Sequence, residues 1–264
     1  MSVIISCAHI GCQFGQRFLL YDINWEVQKG DHWIVFGLNG SGKTTLLSII
    51  AGFNAFTHGQ LKVFGAEYDE DNILPLRRRI GWVSSSFFDK YLSWESVLSV
   101  VLSGISGTLG LSRLVTDQDV KRSLSLLRQM RLGDKTDQPF ALLSKGERQS
   151  ALIARALVSN PEILILDEPG TGLDIFARDW VLGTVADFAR LTDMTIIYVT
   201  HYAEEILPMF QQALLLRQGR VFCQGAAAEL FTDKVLTDFL DLPVTVSLVD
   251  KRYHINPEGR WGHV

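Results

Sequence analysis

The stretch Gly37-Leu-Asn-Gly-Ser-Gly-Lys-Thr44 matches the pattern G-x-x-x-x-G-K-[ST], which is typical of a phosphate-binding loop. Glycines allow successive backbone N–H groups to approach phosphate oxygens without a Cβ in the way. In this pattern the lysine reaches the β- and γ-phosphates, and the final hydroxyl binds Mg²⁺. Lys43 and Thr44 are therefore candidates for these two roles.

The residues on either side of this loop fit the same interpretation. His32-Trp-Ile-Val-Phe36 has the apolar composition of a buried strand, and Thr45-Leu-Leu-Ser-Ile-Ile50 that of a helix. A helix that begins at the end of the loop adds the positive end of its dipole to an anion site. The sequence therefore predicts a strand, a phosphate-binding loop and a helix in direct succession.

Bulk properties exclude several classes of protein. The 264 residues suffice for one large or two small domains, and the net charge of 25 − 29 = −4 argues against a nucleic-acid partner. Three cysteines without a C-x-x-C pair favour a reducing compartment. No apolar run of about 18 residues is present, and the first residues lack the features of a signal peptide. We expect a cytoplasmic protein that docks on a membrane partner.

The region 86–142 differs in character from the strand-rich segment 3–36. Thr116 and Asp119 approximate a capping box, and apolar residues then recur at helical spacing, which predicts a helix over 116–132. A further helix is predicted over 94–102, and the Gly/Ser-rich stretch 103–110 is predicted to be flexible. These signals indicate a helical subdomain of about 86–142 inserted into the fold.

From residue 144 onward, predicted helices alternate with apolar strands. Such alternation is typical of a parallel sheet whose strands are buried on both faces. We therefore predict an α/β fold: a RecA-like P-loop NTPase core with an antiparallel β subdomain and the inserted helical subdomain. A small hairpin is predicted near the end, from Val244–Val249 and 253–256.

The apolar strand Ile163-Leu-Ile-Leu-Asp167 is followed by Glu168 and Pro169. Asp167 at the strand end is placed to bind Mg²⁺, directly or through water. Glu168 is a candidate to accept a proton from an attacking water molecule. Beside a phosphate-binding loop, this pair of acids indicates nucleotide hydrolysis.

Three later motifs carry a resemblance to a known family. Leu143-Ser-Lys-Gly-Glu-Arg-Gln149 resembles the LSGGQ-type signature of ATP-binding-cassette (ABC) ATPases, Thr171-Gly-Leu-Asp174 resembles the D-loop of that family, and Val199-Thr-His201 resembles its switch histidine. The order and spacing of the motifs also fit, over about residues 3–240. The resemblance implies an ABC ATPase domain over 1–242 and a short C-terminal extension over 243–264.

The resemblance implies roles for individual residues. Phe14 would stack on adenine, Asp167 would support Mg²⁺, Glu168 would activate water and His201 would contact the γ-phosphate. ATP would be held by the loop residues Gly37, Asn39, Gly40, Ser41, Gly42, Lys43, Thr44 and Thr45.

The family also implies a second copy of the chain, because each ATP is sandwiched between two subunits in a head-to-tail dimer. Ser144, Lys145, Gly146 and Glu147 would then contact the nucleotide bound by the other subunit. Asp174 would link the two sites across the interface.

Two positions depart from the family pattern. Ser85 stands where a glutamine usually contacts Mg²⁺ or its water, and a serine would need a bridging water to reach the metal. Lys145 stands where the signature usually has glycine, and we interpret it as tolerated variation; the alternatives are that its side chain crowds the partner's phosphate or attracts it.

The leading interpretation is the ATP-hydrolysing subunit of an ABC transporter that powers a separate membrane permease. The pattern of the helical region most resembles importers of metal chelates, haem, cobalamin or molybdate. Candidates for contact with a permease are the aromatic residues Phe87, Phe88, Tyr91 and Trp94, for which the alternative place is the core of the subdomain. The alternative is a soluble ABC ATPase that acts on a cytosolic assembly, for example in iron–sulfur biogenesis.

Overall fold

A computed structural model describes residues 2–69, 71–110 and 115–258 of the chain, without the side chain of Lys90. The strands are β1 (Val3–Phe14), β2 (Arg17–Gln28), β3 (His32–Phe36), β4 (His58–Val63), β5 (Ile80–Ser84), β6 (Ile163–Asp167), β7 (Thr195–Thr200), β8 (Gln212–Arg217), β9 (Arg220–Ala226), β10 (Val244–Val249) and β11 (Arg252–Pro257). The α-helices are α1 (Lys43–Ile50), α2 (Ile73–Arg78), α3 (Ser85–Leu92), α4 (Val97–Ser106), α5 (Asp117–Gln129), α6 (Lys145–Leu157), α7 (Ile175–Leu191), α8 (Ala227–Leu230) and α9 (Asp233–Leu240).

A six-stranded sheet in the order β5-β6-β7-β3-β8-β9 forms the centre of the fold. Its first five strands are parallel and β9 is antiparallel. Strands β5, β6 and β7 are buried along their whole length, which explains their continuous apolar runs. The register pairs Ser84 with Asp167 and Phe36 with Thr200. The segments that follow β3, β5, β6 and β7 therefore meet at one edge of the sheet.

The N-terminal part of the chain forms a separate three-stranded antiparallel sheet in the order β2-β1-β4. The β8–β9 hairpin turns at Gln218 and Gly219, which both have positive φ, as a two-residue hairpin turn requires. The parallel core, the antiparallel sheet and the helical insertion together confirm the predicted α/β fold class.

The helical region differs from the prediction at residues 103–106 and agrees with it at the start of α5. The segment 103–110, predicted as flexible, is helical up to Ser106. Glycine is needed at position 104 because α4 packs closely on the backbone of α6, where a Cβ would collide with the carbonyl oxygen of Arg155. Helix α5 begins as predicted, with Thr116 as N-cap and a complete capping box to Asp119.

The aromatic residues of α3 divide into two groups. Phe88 is fully buried, and Phe87 packs with it against Trp82 and Phe53 at ring-centroid distances of 4.7–6.0 Å. Phe88 therefore belongs to the core of the subdomain and is not available to a partner, whereas Phe87 is half-buried and packs against that core. Trp94 remains 90% exposed, and Tyr91 is also largely exposed.

The C-terminal hairpin of β10 and β11 lies against the short 3-10 helix Ala203–Glu205 that follows β7. Arg252 fastens it there: its guanidinium donates to the carbonyl oxygen of Glu204 at 3.1 Å and to the carboxylate of Asp179 on α7 at 3.2 Å. Of the 243–264 extension, residues 259–264 lie outside the described part. Among the described residues, no helix combines the length and the apolar character that crossing a bilayer requires.

Candidate functional site

The loop between β3 and α1 has the shape that an anion site requires. Gly42 has φ 103°, a conformation that residues with a Cβ rarely adopt, and it directly precedes α1 without a side-chain cap. The first N–H groups of an α-helix have no acceptor within the helix and are available to a ligand. The buried Ser41 Oγ has no hydrogen-bond partner in the described structure. These unpaired donors beside the loop fit a phosphate group.

Lys43 is almost completely buried, and its ammonium group is held within the loop. Its Nζ donates to the carbonyl oxygens of Gly37 and Leu38 at 2.6 and 3.1 Å. The same Nζ lies 3.2 Å from Oε1 of Glu168. The lysine of the loop and the candidate base are therefore paired with each other, so a bound triphosphate would compete with Glu168 for this cation.

Asp167 lies at the end of β6 between two hydroxyl groups. Thr44 Oγ1 donates to its Oδ1 at 3.2 Å, and Ser84 Oγ donates to its Oδ2 at 3.1 Å. Burial raises the pKa of Asp167 to about 6, although these two hydrogen bonds oppose the shift. Ser84 was not predicted as a site residue, since only the pairing of β5 with β6 brings it here.

The same residues suit Mg²⁺, which favours one or two carboxylate or hydroxyl oxygens together with substrate phosphates over a cage built from protein alone. Thr44 and Asp167 supply such oxygens. Within the described ranges, no group of three or more His, Cys, Asp and Glu side chains is arranged to hold a metal ion. The donor set therefore fits a metal ion that binds together with a nucleotide.

Glu168 lies at the centre of the site in a strained conformation. Its φ of 50° is left-handed, which is uncommon for a residue other than glycine and is typical of functional positions. Its Oε1 lies 3.3 Å from Nδ1 of His201, and its Oε2 accepts from Thr171 Oγ1 at 3.4 Å. The structure thus brings the predicted residues Lys43, Glu168 and His201 together.

A cavity of about 640 Å³ extends from the loop toward the β1–β2 hairpin. It is lined by loop residues 39–45 and Glu168, and at its other end by Arg17, Phe18, Tyr21 and the Gln218–Gly219 turn. Phe14, predicted to stack on adenine, does not line this cavity and is 82% exposed. Phe18 and Tyr21 line it instead and stack on each other at 4.8 Å. The distance along the sequence from Lys43 does not distinguish Phe14 from Phe18 and Tyr21, because the turn between β1 and β2 determines which ring faces the phosphate loop.

The four signature residues do not line this cavity. Ser144 is the N-cap of α6 and forms a reciprocal capping box with Glu147, whose carboxylate also pairs with Lys135. Glu147 therefore serves its own helix, and the hydrogen bond from Lys135 lowers its pKa. Lys145 extends over Gly172, where a Cβ would lie 2.9 Å from its Nζ.

The structure does not bring Ser85 to the predicted metal site. Its hydroxyl donates to Oε1 of Gln149 on α6 at 2.8 Å, whereas its neighbours Ser84 and Ser86 face Asp167 and the cavity, respectively. The reason is that α3 begins at Ser85, so the chain turns there and directs this side chain toward α6. Ser85 therefore links the end of β5 to the signature helix.

Ser85→Ala is expected to lower the free energy of unfolding by about 1–3 kcal/mol, because it leaves both polar ends of the buried Gln149 side chain unpaired. Thermal melting of Ser85→Ala and of the wild type measures this loss. The double variant Ser85→Ala/Gln149→Met removes both partners and should recover most of the stability. Equal melting of the single variant and the wild type would show that the link contributes nothing.

Comparisons with known proteins agree with this geometry. The profile of the ABC transporter family matches residues 20–171. The chain is 39% identical over 246 residues to an uncharacterized ABC transporter ATP-binding protein, YlmA, of Bacillus subtilis, covering 92% of this chain and 93% of that protein. It is 30% identical to the molybdate import ATP-binding protein MolC of Haemophilus influenzae, covering 92% and 90% of the two chains.

Among solved structures, an ABC transporter assigned to the metal-chelate type, in an inward-facing conformation, superposes with a TM-score of 0.76 at 28% identity. The match covers 98% of this chain and 99% of that one. Family profile, relatives and fold agree with the phosphate loop and paired acids described above. The chain belongs to the ABC transporter family and is an ABC ATPase.

Proposed function

We propose that the chain is the ATP-hydrolysing subunit of an ABC transporter and that it powers a separate membrane permease. The observation that carries this proposal is that Lys43, Glu168 and His201 meet beside the phosphate loop, whereas Ser144 and its neighbours lie outside the cavity. The chain thus presents one half of a two-part ATP site, together with the complementary half for another subunit.

The roles of the residues follow from their positions. Lys43 and the N–H groups at the start of α1 bind the triphosphate, and Phe18 and Tyr21 offer the base an aromatic surface. Thr44 and Asp167 would hold Mg²⁺, which neutralises charge on the β- and γ-phosphates. Glu168 accepts a proton from the water whose oxygen attacks the γ-phosphorus, and the β–γ bridging oxygen leaves with ADP. His201 contacts the γ-phosphate.

A second copy of the chain completes the site in the proposed head-to-tail dimer. The N-terminus of α6, with Ser144 and Gly146, would face the γ-phosphate bound by the other subunit. The ammonium of Lys145 would add a positive charge near that phosphate. Closure of the two subunits on ATP, and their separation after hydrolysis, would drive the permease.

The similarity to a molybdate importer subunit and to a transporter of the metal-chelate type supports import of an oxyanion or a metal chelate. In the proposed function the chain lies at the cytoplasmic face of the cell membrane, bound to its permease. The alternative, an ABC ATPase that acts on a cytosolic assembly, shares the ATP site and differs only in the partner.

Affinity purification of the tagged chain from detergent-solubilised membranes distinguishes the two functions. We expect a protein with several membrane spans to co-purify; recovery of soluble partners only would contradict the transporter function. Tyr91 on α3 and Trp94, two residues after its end, are exposed aromatic residues, and exposed aromatics are frequent anchors at interfaces.

Trp94→Ala is expected to reduce co-purification about 10-fold or more, with ATP hydrolysis by the isolated chain unchanged. Leu191→Ala, at another largely exposed apolar residue, serves as the control and should retain the partner. Full recovery of the partner with Trp94→Ala would show that this surface is not the docking site.

A further inference from the structure

A carboxylate outside the ATP cavity is buried close to the catalytic residues. Glu205 ends the 3-10 helix Ala203–Glu205, four residues after His201, and is 1% exposed. Its Oε2 accepts two hydrogen bonds from β7: one from Thr200 Oγ1 at 2.7 Å and one from the hydroxyl of Tyr198 at 3.1 Å. Burying a carboxylate is costly unless its oxygens are matched by donors, so this position needs an explanation.

The other oxygen of Glu205 points toward two different segments. Oε1 lies 3.7 Å from Nε of Arg178 on α7, and neither atom has a hydrogen-bond partner in the described structure. A Cβ placed on Gly170 would collide with this oxygen. The carboxylate therefore lies directly against the backbone that follows Glu168 and Pro169.

Glu205 thus contacts three segments that carry site residues. Thr200 immediately precedes His201, Gly170 lies two residues after Glu168, and Arg178 lies four residues after Asp174. Each of these segments fixes the place of one group at the γ-phosphate or at the subunit interface. Displacements of about 1 Å in such groups cost up to about 100-fold in rate.

We propose that Glu205 is a positioning residue for ATP hydrolysis, which holds the turn after Glu168 and the segment of His201 in their relative places and joins both to α7 through Arg178. The proposal rests on the roles proposed above for Glu168 and His201. The C-terminal hairpin also joins the segment of Glu205 to α7, because Arg252 donates hydrogen bonds to both Glu204 and Asp179.

Glu205→Gln tests the proposal, since glutamine keeps the size of the side chain but has no negative charge for an ion pair with Arg178. We expect kcat for ATP hydrolysis to fall about 10- to 100-fold, with KM for ATP within about threefold of the wild type. Arg178→Met is also expected to lower kcat. The double variant Glu205→Gln/Arg178→Met should show a smaller fold-decrease in kcat than the product of the two single decreases, because the two groups act as a pair.

Glu204→Gln is the matched control, because the neighbouring carboxylate is half-exposed and, among the described residues, its one ion-pair partner is His254 of the hairpin, at 3.9 Å. It should hydrolyse ATP within about twofold of the wild type. Circular dichroism and melting establish that each variant is folded at the assay temperature. Should Glu205→Gln not fold, Thr200→Val removes one of the donors to Glu205 and is expected to lower kcat about 3- to 10-fold.

The proposal would be overturned if the folded Glu205→Gln variant had the kcat of the wild type while Glu168→Gln was inactive in the same assay. If Glu205→Gln does not fold, the same criterion applies to Thr200→Val. A kcat loss equal in Glu204→Gln and Glu205→Gln would also overturn it, because the effect would then belong to the segment as a whole. Full activity of Glu168→Gln would instead overturn the role of Glu168, and with it the positioning of that residue by Glu205.

Discussion

Glu168→Gln is expected to lower the rate of ATP hydrolysis at saturating ATP by about 10²- to 10³-fold, because the amide cannot accept the proton of the attacking water. ATP binding should be retained or become tighter, since the variant also removes the carboxylate that pairs with Lys43 at 3.2 Å. Phosphate release measures the rate, and size-exclusion chromatography with Mg²⁺ and ATP should show an accumulated dimer.

Glu168→Asp provides the matched control for this variant. It retains the negative charge but withdraws it by one methylene group, so we expect an intermediate rate and little accumulation of dimer. Hydrolysis by Glu168→Gln at the wild-type rate would remove Glu168 from its assigned role. A monomer in the presence of ATP would contradict the proposed dimer and leave the role of the base intact.

Asp167→Asn is expected to change activity and stability in opposite directions. Hydrolysis should fall on the order of 100-fold, because the ligand proposed for Mg²⁺ loses its charge. The free energy of unfolding should rise by about 1–3 kcal/mol at pH 8 without nucleotide, because burial raises the pKa of this carboxyl from 3.8 to about 6.

The sign of this effect follows from proton linkage. Since the pKa of Asp167 is higher in the folded than in the unfolded chain, the folded chain binds more protons between pH 4 and 6, and stability is lost as the pH rises through this range. Asparagine carries no charge at any pH. The gain in the free energy of unfolding of Asp167→Asn over the wild type should therefore be largest at pH 8 and should decrease toward pH 4. Melting curves of both chains at several pH values in EDTA measure it.

Asp187→Asn is the control for this experiment, because Asp187 is largely exposed and, within the described part of the chain, forms an ion pair only with Arg190 on the same helix. We expect its melting temperature to remain within about 1 °C of the wild type. If Asp167→Asn melted below the wild type at pH 8, the buried carboxylate would be a net stabilising group, contrary to the expectation.

The parts of the fold that could be predicted are those determined by interactions between residues close together in the sequence. Strands β3 and β6 have the predicted bounds because strands buried on both faces leave continuous apolar runs in the sequence. The capping box of α5 was readable for the same reason, since its two hydrogen bonds join residues three positions apart. The motifs of the phosphate loop and the acid pair are equally local.

Features that depend on distant contacts were missed. Gly104 looked like part of a flexible segment, but it allows α4 to approach α6 closely, which only the packed fold reveals. Three successive serines gave no sign that Ser84 reaches Asp167 while Ser85 reaches Gln149. Glu205 follows a histidine motif without any feature that announces a buried carboxylate.

The left-handed backbone at Glu168 has a consequence for the way in which this chain would change under selection. At φ 50°, glycine, asparagine and aspartate are more favourable than glutamate, so the backbone itself disfavours the residue that the chemistry requires. Selection for thermal robustness alone would therefore replace Glu168 early and leave a well-folded chain that has lost its hydrolytic base. A directed-evolution experiment on this protein must screen for turnover together with heat resistance, or catalysis will disappear before the fold does.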